Sequence, residues 1–158
     1  MYISARQFDQ VIEMGNRQAS ENPAFPVIHQ YLAWAYWGKR MYPQVIAESK
    51  TYGRLNGDPR DVEFATALEQ GYKSGGWKAA LNKAIAVLLE QRKNGYSSPY
   101  ALAQLYADLG DADQAFYWLG VAYRERDNLF NLKTDFLLDP IRSDPRFADL
   151  VKKVGLPQ

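Results

Sequence analysis

A residue pattern returns about every 34 positions along this chain of 158 residues. The anchor positions of the pattern are 34, 35 and 35 residues apart, at Phe8, Tyr42, Trp77 and Ala112. Six residues before each anchor stand Tyr2, Tyr36, Gly71 and Tyr106, and three residues after it stand Val11, Val45, Ala80 and Ala115. A fixed period of this length indicates a repeat array, in which each unit is one supersecondary element stacked on the next.

The composition fits a globular repeat domain and disfavours several classes of partner. The chain is 47% hydrophobic, and its 19 basic and 18 acidic residues are mixed along it, giving a net charge of +1. Because no basic block is present, we expect no nucleic-acid partner. The longest apolar run, residues 84–89, is far too short to span a bilayer, and no signal-type stretch opens the sequence. We therefore predict no membrane insertion and a cytoplasmic location, with the periplasm as the alternative if a transmembrane helix precedes this chain.

Each unit is predicted to contain two helices, because capping residues followed by proline recur at the expected helix starts. The predicted starts are Pro26, Pro43, Asp58-Pro59, Ser98-Pro99, Asp139-Pro140 and Asp144-Pro145. Helix breaks are predicted at residues 38–40, at Gly75-Gly76, at Asn94-Gly95 and at Gly110-Asp111. The first unit is incomplete, since only its second helix, from about Phe8 to Ser20, is present in full.

The repeat pattern stops after Arg126. Residues 127–133 are predicted to be an irregular connection. The last helix carries Phe147, Leu150 and Val154 on one face, and charged residues occupy its other face. An open helical array exposes an apolar end unless another element covers it, so we interpret this helix as a C-terminal cap.

The repeat residues resemble those of tetratricopeptide repeats. The fourth unit carries the pattern most fully, with Leu102, Ala103, Tyr106, Gly110, Asp111, Ala115, Leu119 and Ala122, and the second unit carries Leu32, Ala33, Tyr36 and Tyr42. The resemblance implies an all-α fold, a right-handed superhelical stack of helical hairpins with a C-terminal capping helix. Residues 1–126 would form the repeat array, and residues 127–158 would form the connection and the cap.

A second resemblance lies in the tail. Residues 139–147, together with Leu150, resemble the segment that closes tetratricopeptide arrays at the C-terminus of larger bacterial signalling proteins. These proteins include winged-helix regulators, serine/threonine kinases and adenylate cyclases. The resemblance implies that this chain is the carboxyl-terminal domain of such a protein, and the incomplete first unit agrees with that interpretation.

Residues suited to catalysis or to metal binding are sparse. His29 is the single histidine, and the chain has no cysteine, so the sequence offers no recognisable nucleophile–base pair and no zinc ligand set. The spacing of Asp135, Asp139 and Asp144 does not match a calcium-binding loop. The glycines of the third unit lack the following Lys-Ser/Thr of a phosphate-binding loop. We therefore predict no enzymatic activity, no metal and no cofactor.

The candidate site residues lie on the first helix of each unit, which the resemblance implies lines a concave groove. They are Gln30, Tyr31, Trp34 and Trp37 in the second unit, Glu69, Tyr72 and Lys73 in the third, and Tyr100 and Gln104 in the fourth. Trp34 and Trp37 are one helical turn apart, so their rings could share one surface. The alternative is that these aromatic rings pack against a neighbouring unit or are covered by the C-terminal segment.

The expected function is that of a non-catalytic protein–protein interaction or scaffold module, which docks a peptide or helix in the groove. Gln30 and Trp34 stand where array members that clamp a terminal carboxylate carry charged or amide residues, so apolar contact is the expected source of affinity. One alternative is self-association as a homodimer, through a face that exposes Phe8, Val11 and Ile12. Another alternative is a small-ligand sensor with an aromatic pocket.

Overall fold

The computed structural model describes residues 3–155, which contain helices and no strands. The helices in chain order are α1 (Phe8–Glu21), α2 (Pro26–Gly38), α3 (Tyr42–Asn56), α4 (Pro59–Lys93), α5 (Pro99–Leu109), α6 (Ala112–Glu125), a 3₁₀ helix (Phe136–Ile141) and α7 (Pro145–Val154). The predicted all-α class is thus confirmed. Tyr2 of the repeat pattern and residues 156–158 of the predicted C-terminal region lie outside the described residues.

Most helices begin where the sequence predicts. Ser98 accepts a hydrogen bond from the backbone N–H of Ala101 at the start of α5, and Asp144 accepts one from Arg146 N at the start of α7. Such caps satisfy backbone donors that have no partner within the helix. The predicted start at Asp139-Pro140 is wrong, because Pro140 lies inside the 3₁₀ helix and Asp135 caps it by accepting from Leu137 N.

Helix α4 is broken into two arms at Gly75-Gly76, where the sequence predicts a turn. Gly76 has φ 73°, a left-handed conformation that glycine adopts without a steric penalty. The two arms, residues 59–74 and 77–93, approach closely near Gly71. A Cβ atom at Gly71 would lie 2.5 Å from both Ala79 O and Ala80 Cα. A glycine therefore replaces the tyrosine of the other units because the backbone of the second arm occupies that space.

The chain divides after Val87 into two compact units, which are larger than the repeats. We call them the first unit and the second unit. In the first unit, α2 packs against both α1 and α3. Its buried side chains include Ile28, Leu32, Ala35 and Val45. Where α1 crosses α2, Gly15 packs on Leu32, and a Cβ atom added to Gly15 would lie 2.7 Å from Leu32 Cδ2. Small residues at such crossings permit close helix approach.

In the second unit, α5 and α6 pack as a hairpin, and the chain after residue 126 folds onto them. The buried cluster joins the two helices to this later part of the chain through Ala103, Ala107, Ala115, Leu119, Ala122, Leu129, Leu132, Leu138, Ile141 and Phe147. Of the predicted apolar face of the last helix, Phe147 is 5% exposed, and Leu150 and Val154 are half-buried against the same cluster. No helix within residues 3–155 has the length and apolar character required to cross a bilayer.

Candidate partner-binding surface

Large apolar side chains are exposed together on α1 and α2. Nine large apolar residues are exposed in the described part of the chain, and five of them belong to this one surface. The five are Met14, Phe25, Val27, Tyr31 and Trp34. We refer to them as the α1–α2 surface. Isolated exposed apolar residues are ordinary, but a cluster of them marks a site of interaction.

Four residues of the α1–α2 surface, all except Trp34, line a groove of about 270 Å³. The groove is lined by Ile3, Val11, Met14, Gly15, Gln18, Phe25, Val27, Ile28 and Tyr31. Gln18 and Tyr31 are the lining residues that have polar side chains. Trp34 extends the surface beyond the groove, since its ring meets that of Tyr31 edge to face at 5.5 Å.

Local sequence explains why these side chains point outward. Val27, Tyr31 and Trp34 are spaced four and three residues apart, so they follow one another along one side of α2. Ile28, Leu32 and Ala35 occupy the side that is buried in the first unit. Phe25 precedes the first helical residue, Pro26, in an extended conformation and is 55% exposed.

Trp37 does not share this surface, which corrects the sequence-based expectation. Its side chain is 8% exposed, whereas that of Trp34 is 37% exposed. The Trp37 ring meets the Trp77 ring edge to face at 5.0 Å, and Trp77 stacks on Tyr42 at 4.2 Å. Tyr72 is half-buried and joins the same group, with its ring centroid 6.5 Å from that of Tyr42. Trp37 and Tyr72 therefore belong to an internal aromatic cluster of the first unit.

The remaining predicted site residues before Val87 are Gln30 of the second repeat and Glu69 and Lys73 of the third. Gln30 and Glu69 are half-buried and Lys73 is exposed. Glu69 accepts hydrogen bonds from Lys50 and from Lys73, each at 3.0 Å. These hydrogen bonds lower the pKa of the Glu69 carboxyl. The charges at these positions are therefore already paired within the unit.

Tyr100 and Gln104 were expected to line an open groove, but they are covered by the chain's own C-terminal region. The Tyr100 hydroxyl donates to Asp135 Oδ2 at 2.7 Å, and Gln104 Nε2 donates to the same oxygen at 2.6 Å. Burial and the neighbouring charge of Asp135 raise the pKa of Tyr100. Both residues are half-buried, and these contacts agree with the alternative interpretation, cover by the C-terminal segment.

The prediction that the self-association face exposes three apolar side chains is also corrected. Phe8, Val11 and Ile12 are half-buried, not exposed. The Phe8 ring packs on Gly38, where an added Cβ atom would lie 2.4 Å from the ring. Met14, Phe25 and Val27 were not predicted as site residues, although the spacing of Val27 with Tyr31 and Trp34 is visible in the sequence.

His29 has a packing role in the first unit. Its Nδ1 lies 2.7 Å from Glu48 Oε2 on α3, and its buried Nε2 has no hydrogen-bond partner within the described residues. Within residues 3–155, no three His, Asp or Glu side chains are arranged to hold a metal ion. The side chains exposed on the α1–α2 surface are mainly apolar.

Comparisons of the chain with protein-family models, with curated proteins and with solved structures give no significant match. A functional assignment therefore depends on the surface chemistry of this chain.

Proposed function

We propose that this chain is a non-catalytic protein–protein interaction module that docks a peptide or helix of another protein. The observation that supports the proposal is the α1–α2 surface, in which five large apolar side chains are exposed and four of them line one groove. Tyr31 and Trp34 belong to the residue types most often found as anchors of protein interfaces, because large rigid rings bury much area and lose little entropy.

In this proposal the helices form a tetratricopeptide-like array, a right-handed superhelical stack closed by α7. The 34-residue period and the Leu-Ala-Tyr pattern of the second and fourth repeats support that architecture. The segment around Asp139-Pro140 and Asp144-Pro145 supports a role as the regulatory domain of a larger bacterial signalling protein, located in the cytoplasm or, after a transmembrane helix, in the periplasm.

Self-association is the second candidate, because the same apolar surface could pair with that of another copy of the chain. A small-ligand sensor is less consistent with the groove. Its volume of about 270 Å³ lies just below the roughly 300–1,000 Å³ typical of small-molecule sites.

The proposal is tested by selecting peptides from a random displayed library on the intact chain. The selected peptides are then titrated against wild type and against the double variant Tyr31→Ser/Trp34→Ser. Loss of two anchor rings should weaken binding by at least about 2 kcal/mol, or roughly thirtyfold.

Tyr117→Ser provides a matched control for this experiment. Tyr117 is 57% exposed on α6 and meets Trp118 edge to face at 5.2 Å, much as Tyr31 meets Trp34. The control should bind the selected peptides as wild type does. Equal affinity for wild type and the double variant would place the binding site elsewhere and would contradict the proposal.

A further inference from the structure

The sequence contains two asparagine–glycine dipeptides, and both lie at the C-terminal end of a helix. Asn56 is the last residue of α3 and precedes Gly57, and Asn94 follows the last residue of α4 and precedes Gly95. In such a dipeptide the backbone nitrogen of the glycine can attack the carbonyl carbon of the asparagine side chain, because glycine has no Cβ atom to hinder the approach. Both dipeptides have the same covalent structure, so their surroundings decide which of them reacts.

The dipeptide at the end of α3 is held on both sides of the bond that would form. Gly57 N donates a hydrogen bond to Gly53 O at 3.2 Å, which closes the last turn of the helix. The side-chain amide of Asn56 donates to Asp61 Oδ2 at 2.6 Å. Attack by Gly57 N would require the first hydrogen bond to break and the Asn56 side chain to leave the second, so we expect this asparagine to be protected.

The dipeptide after α4 is held more loosely. Asn94 and Gly95 are exposed, and within residues 3–155 Gly95 N makes no hydrogen bond to another residue. The Asn94 side-chain amide donates to Glu90 O at 3.2 Å and to Glu90 Oε1 at 3.3 Å. Both distances are longer than the 2.6 Å of the Asn56 hydrogen bond. The attacking nitrogen of this dipeptide is therefore free, and its amide group is weakly held.

We propose that Asn94 is a site of spontaneous deamidation and that Asn56 is protected from it. Gly95 N gives its proton to the solvent and forms a bond with Asn94 Cγ. The bond between Cγ and Nδ2 breaks, and the amide nitrogen takes a proton from the solvent and leaves as ammonia. A water molecule then opens the resulting succinimide at one of its two carbonyl carbons, which yields aspartate or isoaspartate. The reaction consumes one water molecule for each ammonia released and needs no other reactant.

Deamidation changes both the charge and the backbone beside the end of α4. Aspartate at position 94 replaces an amide donor by a carboxylate next to Glu90, whose charge has the same sign, and the C-terminal end of a helix also disfavours negative charge. Isoaspartate adds one methylene group to the main chain ahead of Ser97, whose carbonyl accepts from Arg92 Nη1 at 2.9 Å. Both products should therefore loosen the connection between α4 and α5, residues 94–98.

The test measures deamidation of the intact folded chain in mildly alkaline buffer, in which a backbone amide ionises more readily. Samples taken over time are digested, and mass spectrometry follows the conversion of amide to acid in the peptides that contain Asn56 and Asn94. Electron-transfer fragmentation separates aspartate from isoaspartate. We expect Asn94 to react at least tenfold faster than Asn56. In urea, in which neither dipeptide is held by the fold, the two rates should converge.

Gly95→Ala is the matched control variant, because its methyl group hinders attack by the backbone nitrogen. A Cβ atom at this position would lie 4.0 Å from Gln91 O, an ordinary van der Waals contact, so the substitution fits the folded chain. The variant should slow the reaction at Asn94 at least tenfold and should leave the rate at Asn56 unchanged.

Equal rates at Asn56 and Asn94 in the folded chain would overturn the proposal, as would a rate at Asn94 that Gly95→Ala does not change. Hydrogen exchange tests the effect on the connection. The amides of residues 95–98 should exchange faster in aged protein and in Asn94→Asp than in fresh protein and in Asn94→Ser, which stays neutral. Unchanged exchange in aged protein would overturn the expected loosening.

Discussion

The outward faces of α2 and α5, the first helices of the second and fourth repeats, have opposite environments. On α2, Tyr31 and Trp34 are exposed, and Tyr31 lines a mostly apolar groove. On α5, Tyr100 and Gln104 are held under residues that follow the repeat, through Asp135. Two units with related sequence patterns thus present one open and one closed face. The repeat pattern identifies the helices, and the elements that pack on them decide which face remains available for a partner.

The closed face of the second unit is held by apolar burial and by a small set of polar contacts. We call residues 127–141 the covering segment. Its buried apolar residues are Leu129, Leu132, Leu137, Leu138 and Ile141. Arg142 fastens its end, donating to Lys133 O at 2.6 Å and to Asp135 O at 2.7 Å. The number of buried side chains indicates that this segment is a fixed part of the unit.

The largest expected effect distinguishes the two tryptophans of α2. Trp37→Ala should lower the free energy of unfolding by about 4 kcal/mol, because it empties a buried site beside Trp77. Trp34→Ala should lower it by less than about 1 kcal/mol, since that ring is 37% exposed and its main ring contact is with Tyr31. Urea unfolding followed by far-ultraviolet circular dichroism measures both values. Similar losses for the two variants would contradict the division between internal cluster and open surface.

This contrast also shows which features can be predicted from the sequence and which cannot. The all-α fold, the helix starts at Pro26, Pro99 and Pro145, and the buried Phe147 follow from period and capping chemistry. The different environments of Trp34 and Trp37 cannot be predicted from the period or from capping chemistry. Both are aromatic residues on one side of a helix, and the burial of Trp37 depends on Trp77.

Trp77 reaches Trp37 and Tyr42 only because α4 breaks at Gly75-Gly76 and its second arm begins there. The covering segment was equally hard to predict, because it has no helical periodicity. Its path over α5 depends on contacts such as that of Tyr100 with Asp135, whose residues are 35 positions apart. The exposed stripe of Val27, Tyr31 and Trp34 is visible in the sequence, but its exposure depends on which helices cover α2.

The next effect tests the closed face through two phenylalanines of the second unit. Phe147→Ala should lower the free energy of unfolding by about 3 kcal/mol, because the ring is 5% exposed within the cluster that joins α7 to α5 and α6. Phe130→Ala removes the same ring from a site that is 83% exposed and should change stability by less than about 0.5 kcal/mol. Urea unfolding measures the stability of both variants, and full stability of Phe147→Ala would contradict the contribution of this ring to the buried cluster.

A smaller effect is expected where the covering segment is fastened to α5. Asp135→Ala removes the acceptor for Tyr100 and Gln104 and the cap of the 3₁₀ helix, so stability should fall by about 2 kcal/mol. Tyr100→Phe removes only one of these hydrogen bonds and should cost about 1 kcal/mol. Hydrogen exchange of the α5 amides should accelerate more in Asp135→Ala than in Tyr100→Phe. The reverse order would show that Asp135 does not fasten the segment.

The smallest expected effect is a pH dependence at Asp127, the first residue of the covering segment. Burial opposes ionisation of Asp127. Hydrogen bonds from Ser98 Oγ at 2.6 Å and from Tyr100 N at 3.1 Å outweigh burial and lower the pKa of the carboxyl. A carboxyl whose pKa is lower in the folded chain stabilises the fold at pH values above its unfolded pKa of about 3.9. This contribution is lost as the pH falls through the lower pKa of the folded state.

Asp127→Asn should therefore be less stable than wild type by about 1 kcal/mol at pH 6, because charge-assisted hydrogen bonds to Ser98 and Tyr100 become neutral ones. The difference should shrink as the pH falls from about 4 towards 2, since wild-type Asp127 is protonated there as well. The other carboxyls with lowered pKa, including Glu69 and Asp144, are present in both proteins and cancel in the comparison. Urea unfolding at pH 6, 4 and 2 measures the difference. A stability gap that stays constant with pH would mean that the charge of Asp127 does not hold the covering segment against α5.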